Sequence, residues 1–288
     1  MIRTLNLDTE FIPVPRPEIE FNFITFNGGE LHIKINNNID YTNVDKVIIS
    51  HRIKSGNDIM QILISKDAIE RKGVKHFDLI IPYIPYARQD RLCVEGESFT
   101  LQVFCKIINS MNFDNVYVLD AHSDVAPALL NNCINLSNQQ YVLEMLRELY
   151  PKSQYESSPI LVSPDSGANK KINILAEYLN KFNHISVVKC DKVRDVRTGN
   201  LTGFEVFAAD LKCKDCIIVD DICDGGRTFI GIAEELKKKN AGNIYLFVTH
   251  GIFSNEFDEL NKYFTKIYCT NSFRDIENSN IKQFKVQL

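Results

Sequence analysis

Between Cys216 and Phe229 the chain reads CIIVDDICDGGRTF, an apolar run that meets acids at 220, 221 and 224, glycines at 225 and 226, then Arg227 and Thr228. Glycine removes the side chain that would keep an anion from the backbone, and a following helix start offers free amides. Gly225, Gly226 and Thr228 therefore suit a phosphate. Asp220 and Asp221 could bind sugar hydroxyls or metal-bound water, since hard oxygen donors suit Mg²⁺, and Asp224 at the loop mouth could orient the same ligand. A tight strand-to-helix turn with Asp224 as helix cap is the plainer alternative. A cap uses one acid, whereas this stretch spends three.

Other chemistry-bearing residues also follow apolar runs. Arg88, Gln89 and Asp90 leave the run FDLIIPYIPYA together; an Arg suits phosphate or base edges, and Gln and Asp offer hydrogen-bond acceptors. A surface salt-bridge cluster is the competing reading. His122 follows NVYVLDA, where an imidazole could bind a metal or a terminal phosphate. Asp165 follows ILVSP as a metal-ready carboxylate or as the cap of a helix starting near Ala168. Lys192 and Arg194, two residues apart, point the same way on an extended segment and could gather phosphate charge. Gly28, Gly29 and Glu30 lie between apolar runs, which is also a normal hairpin signal.

These residues need a frame that brings strand ends together. Nearly continuous apolar runs alternate with helical patterns such as Ile172, Leu175, Ala176, Leu179 and Phe182, which predicts parallel strands covered by helices on both faces. In such sheets ligands gather beyond the carboxyl ends of the strands. The order strand, polar loop, helix recurs in both halves, so we expect two similar α/β domains, 1–148 and 149–288, joined near Leu149 to Pro159.

Composition narrows the partners. With 33 basic and 37 acidic residues among 288, a formal charge of −4 and 44% hydrophobic residues, the chain reads as globular and cytoplasmic. It carries no nucleic-acid footprint, membrane patch or long apolar span. The eight cysteines are scattered and expected to be reduced. Cys213 and Cys216 have zinc spacing but no second ligand pair, so ordinary thiols are expected.

Taken in order, these segments resemble the ribose-phosphate pyrophosphokinases (phosphoribosyl diphosphate synthetases). VDDICDGGRT resembles the ribose-phosphate loop of type I phosphoribosyltransferase folds, IPYIPYARQDR the family's ATP segment, and TFNGGELHIKI its Phe-x-x-Gly-Glu segment. VLDAHSD, VSPDSGANKK and KCDKVRD then follow in the family's order. The resemblance implies two phosphoribosyltransferase-like domains, an ATP side at 1–148 and a ribose-phosphate side at 149–288, with ATP, ribose 5-phosphate and Mg²⁺ as ligands. It implies ATP contacts from Phe26, Gly28, Gly29, Glu30, Arg88, Gln89 and Asp90. It also implies a ribose-phosphate cradle from Asp220, Asp221, Asp224, Gly225, Gly226, Arg227 and Thr228, metal contacts from His122 and Asp165, catalytic roles for Lys192, Arg194 and His122, and a dimer-based homo-oligomer, up to a hexamer.

The sequence departs from the family in three places. Val193 stands where the catalytic Lys-Arg-Arg has its middle cation. LCVEGESFT, within 92–100, replaces a basic segment tied to nucleotide and allosteric phosphate or ADP binding. Arg227 replaces a small neutral residue beside the phosphate, where a guanidinium could pair with extra acceptor charge, as ADP-ribose would supply. A phosphoribosyltransferase or a non-catalytic regulatory homologue are the rival classes. The former has no use for an ATP segment, and the latter would be expected to lose Lys192, Arg194 or Asp165.

Overall fold

A computed structural model describes residues 1–16, 18–151, 158–182, 184–194, 201–255 and 257–288, without the side chains of Arg194 and Leu201. Contacts divide the described residues into two units. The first is Met1–Ser137 with Ser272–Arg274 and Lys285–Leu288; the second is Asn138–Asn271 with Asp275–Phe284.

In the first unit, strands β1 (Ile2–Asn6), β4 (Lys46–Ser50), β5 (His76–Ile80), β6 (Asn115–Leu119) and β7 (Cys133–Leu136) form one parallel sheet in that order. Strands β2 (Phe21–Thr25) and β3 (Leu31–Ile35) make a separate antiparallel hairpin. Val47, Ile49, Leu79 and Val118 of the sheet bury against Ile62 and Ile69 of helix α1 (Gly56–Glu70) and Leu101, Phe104 and Ile108 of α2 (Thr100–Ser110). The i, i+3, i+4 and i+7 spacing of α2 puts its apolar residues on one face. A short helix, α3 (Val125–Leu129), follows β6.

The second unit opens with α4 (Gln139–Leu149). Its sheet runs β10 (Leu201–Val206), β9 (Ser186–Arg194), β8 (Ile160–Ser163), β11 (Cys216–Cys223), β12 (Ile244–Gly251), β13 (Lys266–Thr270), β14 (Ile281–Phe284). Every described pairing is parallel except β9 with β10. Ile218, Leu246, Val248 and Ile267 bury against Ile232, Ala233 and Leu236 of α6 (Arg227–Lys238), while α5 (Asn169–Leu179) follows β8. The sheets are the mostly parallel, helix-flanked kind that the apolar runs predict. Strand β11 runs longer than the sequence suggests: it carries Asp220 and Asp221 within its span and ends only at Cys223. No helix among the described residues is long and apolar enough to cross a membrane.

Asp215, just before β11, ties several elements of the second unit together. Its backbone carbonyl accepts from Ile160 N at 2.8 Å, its Oδ1 from Asn243 N at 2.9 Å, and its Oδ2 from the hydroxyl of buried Tyr150 at 2.8 Å. Burial and the adjacent carboxylate push the Tyr150 phenol upward, so it stays a donor. Replacing Tyr150 with Phe leaves Oδ2 without that donor. A loss of about 1.5–3 kcal/mol is expected in guanidinium unfolding, and an unchanged midpoint and slope would remove this hydrogen bond from the stability of the unit.

Candidate active site

In the second unit, α6 takes Gly226 as its N-cap in the left-handed conformation, at φ 79°. A side chain is disfavoured at that φ, and a Cβ would also lie 2.9 Å from Leu260 Cδ2, so position 226 needs glycine twice over. The helix thus caps with Gly226, not Asp224, and the plain cap reading of that acid falls. The carbonyl of Gly226 accepts the first helical bond, from Ile230 N at 3.1 Å. Among the described residues the amides from Gly225 to Phe229 donate to no acceptor. A row of free amides at a helix start is an anion site in waiting.

Carboxylates crowd the same strand. Burial, then Asp221, then Asp165 push the half-buried Asp220 carboxyl well above the usual carboxylate range. Asp221 is buried, and Lys171 Nζ of α5 lies 3.7 Å from its Oδ2. Asp165 Oδ2 accepts from Lys192 Nζ at 2.7 Å, and its Oδ1 accepts from Ala168 N at 3.1 Å. Asp165 therefore shapes the turn into α5 and holds Lys192 as well. Lys192 and Arg194 lie on β9 itself, opposite Phe204 and Leu201 of β10. The Arg194 side chain is outside the described residues.

In the first unit, residues from two strand ends share one open cavity of about 420 Å³, within the usual size of a ligand pocket. Arg88, Gln89, Asp90 and Arg91 after β5 line it with His122 after β6 and Thr100 at the start of α2. Arg88, Gln89 and His122 are exposed; Asp90 is buried. Arg91 Nε donates to Asp90 Oδ1 at 2.9 Å and, with the Ser123 hydroxyl and the His122 ring nearby, holds that carboxyl below its usual range. A buried, compensated Asp90 orients Arg91. Arg88 and Gln89 are exposed where they line the cavity. Both chain entries are strained, with Tyr86 at φ 63° and Asp120 at φ 44°. One of the two acids of the 92–100 segment has local work: Glu97 Oε2 accepts from Cys93 N and Val94 N, both at 3.1 Å, and closes its own turn.

Phe26, Gly28, Gly29 and Glu30 form the loop of the β2–β3 hairpin, closed by Phe26 N to Glu30 O at 2.9 Å and Gly29 N to Phe26 O at 2.8 Å. Phe26 is 55% exposed, so the turn presents an aromatic face that no core uses. Cys213 Sγ donates to Asn240 Oδ1 at 3.2 Å and Cys216 Sγ to Lys214 O at 3.7 Å. Burial pushes the Cys216 thiol up to about 12. The two sulfurs thus take different hydrogen-bond acceptors. Lys171 is not marked by the sequence, since it pairs with Asp221, an acid of a different element; Arg91 pairs with its neighbour Asp90, a contact that adjacency permits but does not dictate.

Two family descriptions match the chain: the N-terminal domain of ribose phosphate pyrophosphokinase over residues 15–111, and the phosphoribosyl synthetase-associated domain over 183–286. The chain is similar to the ribose-phosphate pyrophosphokinase of Ureaplasma parvum, 31% identical over 210 residues, covering 73% of this chain and 61% of that one. It is 29% identical over 272 residues to the Mycoplasma genitalium protein of the same name, covering 91% and 77%. The chain thus spans 61% and 77% of the length of these two relatives. A phosphoribosylpyrophosphate synthetase structure from Mycobacterium smegmatis shares the fold, with a TM-score of 0.79 at 20% identity over 98% of this chain and 94% of that one. The fold, the two matched domains and the relatives agree: the chain belongs to the ribose-phosphate pyrophosphokinase family.

Proposed function

We propose that this protein transfers the β,γ-diphosphate of ATP to the anomeric hydroxyl of ribose 5-phosphate. The hydroxyl oxygen attacks the β-phosphorus, the bond from that phosphorus to the oxygen bridging it to the α-phosphorus breaks, AMP leaves and the hydroxyl proton is released. The observation that carries the reading is the row of amides from Gly225 to Phe229, which donate to no acceptor among the described residues, in the loop and first turn of α6 directly after the strand that bears Asp220 and Asp221. An anion and a polyhydroxyl group on one ligand match that pair. Asp220 and Asp221 orient the ribose hydroxyls by accepting hydrogen bonds from them. The 224–228 loop holds the 5-phosphate. Arg88 and Gln89 hold ATP phosphates and base edges, with Phe26 and the Gly28–Glu30 turn against adenine.

Mg²⁺ keeps several waters and is usually held by one or two carboxylates plus substrate phosphates. Asp165 offers such a carboxylate, partly exposed just beyond β8 in the second unit, and His122 is the metal or phosphate candidate of the first unit. A lone carboxylate of this kind fits a metal arriving with ATP, which would supply charge neutralisation on the transferring group. Lys192 and Arg194 add positive charge around the same group. A homo-oligomer built from dimers completes the proposal.

A second reading rests on Arg227. It is exposed and makes no ion pair among the described residues, and it stands at the first position of α6, where the helix dipole disfavours a cation. A residue placed against stability at a phosphate site points to a ligand with more than one phosphate, such as ADP-ribose, in NAD synthesis or salvage.

Three outcomes are expected. With ATP, Mg²⁺ and ribose 5-phosphate or ADP-ribose, mass spectrometry should find AMP and a diphosphorylated product. No AMP with either acceptor would sink the enzyme reading, and turnover of ADP-ribose that Arg227→Ala abolishes would favour the second acceptor. Lys192→Ala should lower kcat by roughly 10²–10³-fold while leaving ATP affinity nearly unchanged; retained turnover removes it from the mechanism. Because the fold favours the neutral form of Asp220, Asp220→Asn should melt at or above the unmodified protein at pH 7 yet bind the acceptor at least about tenfold more weakly, a loss near 1.4 kcal/mol. A lowered melting point would contradict the electrostatic account.

A further inference from the structure

The amide row needs something to aim it, and the connector after β12 supplies that from the opposite side. Ile252 N and Phe253 N both donate to Cys223 O, at 2.9 and 3.0 Å, and Ser254 N donates to Asp224 O at 3.2 Å. Asn255 Nδ2 donates to Gly225 O at 3.2 Å. Three successive carbonyls are thus held on one side. In a trans peptide the C=O of one residue and the N–H of the next point in opposite senses across a rigid plane. Fixing the carbonyls of Asp224 and Gly225 toward the connector therefore turns the amides of Gly225 and Gly226 away from it, to the side where no described residue accepts from them.

The connector has been shaped for this at some cost. Phe253 is held in the left-handed region at φ 46° although it is a bulky residue, and it is only 3% exposed. Its ring packs 5.2 Å from that of Phe257, and a Cβ on Gly251 would fall 2.2 Å from it. Such strain persists only where packing over-determines it. Position 225 is fitted to the same contact, since a Cβ there would lie 3.1 Å from Asn255 Nδ2.

We propose that Asn255 is a positioning residue for the acceptor's phosphate, acting through the Gly225 carbonyl to fix the direction of the Gly226 amide. The inference rests on the reading of the 224–228 loop as a phosphate cradle. Asn255 is the one side chain in the clamp, the other three donors being backbone, and it is exposed, so its replacement disturbs no core.

The test compares Asn255→Ala, Asn255→Asp and the unmodified protein in steady-state kinetics, in thermal melts, and in ³¹P NMR titration with inorganic phosphate in the absence of ATP. Losing one neutral hydrogen bond should raise the acceptor KM and weaken phosphate binding by about 5- to 10-fold in Asn255→Ala. kcat, the ATP KM and the melting midpoint should stay within about twofold or one degree of the unmodified protein, as expected of an exposed position. Asn255→Asp, which sets a carboxylate against the Gly225 carbonyl, should lose more than Asn255→Ala. Equal acceptor KM in all three proteins, or a loss that falls equally on ATP and acceptor, would overturn the proposal. Phosphate binding that Asn255→Ala leaves unchanged overturns this inference alone, whereas no phosphate binding by the unmodified protein overturns the cradle reading with it.

Discussion

Crowded negative charge at the carboxyl edge of the second sheet is the constraint on which the rest of that unit turns. Asp165, Asp220 and Asp221 lie close enough to affect one another, and burial alone already disfavours ionising Asp220. Removing a carboxylate from water without full pairing costs several kcal/mol in ordinary cases, of the order of ~2–5. Lys192 and Lys171 offset part of that, one at 2.7 Å and the other at 3.7 Å. A fold keeps such an edge only if its core is strong elsewhere, and β8, β11 and β12 provide this with almost uninterrupted burial.

The amide row is the positive counterpart of those carboxylates. Its cost is also conformational: a left-handed Gly226, a left-handed Phe253 and carbonyls tied back to the β12 connector. Under the proposed function, the strain on this loop holds the amides in place for an anion, and the carboxylates beside it face hydroxyl groups of the same molecule.

The first unit uses the same parallel-sheet logic with the opposite charge. Left-handed residues at 86 and 120 turn the chain out of β5 and β6, and Arg88, Arg91 and His122 come to line one cavity. Asp90 is the buried carboxylate there, but its pKa is lowered where that of Asp220 is raised. The difference is burial first and partner second: burial raises Asp220 most and a neighbouring acid adds to it, whereas Asp90 has a guanidinium bonded to it that outweighs its burial. Two carboxylates in similar sequence settings thus shift in opposite directions.

Much of this was legible in the chain. Runs such as KVIIS, NVYVL and IYLFV announce buried parallel strands because continuous β-branched and aliphatic residues suit a sheet covered on both faces. Strands β1, β7 and β14 were not distinguished, being only four or five residues long and mixed in polarity. The end of β11 is not legible, since acids usually close a strand and here they lie inside one. The types and spacing of Gly225, Gly226, Asp220, Asp221, Arg88 and Gln89 were set by sequence alone, and so was the chemistry they can do. Which lysine meets which acid was not: Lys192 and Asp165 are 27 residues apart, and Asn255 reaches Gly225 across 30. Helix and strand periods are local rules, whereas these pairs depend on the order in which parallel strands and their connectors lie side by side, and that order is fixed only when the whole core packs.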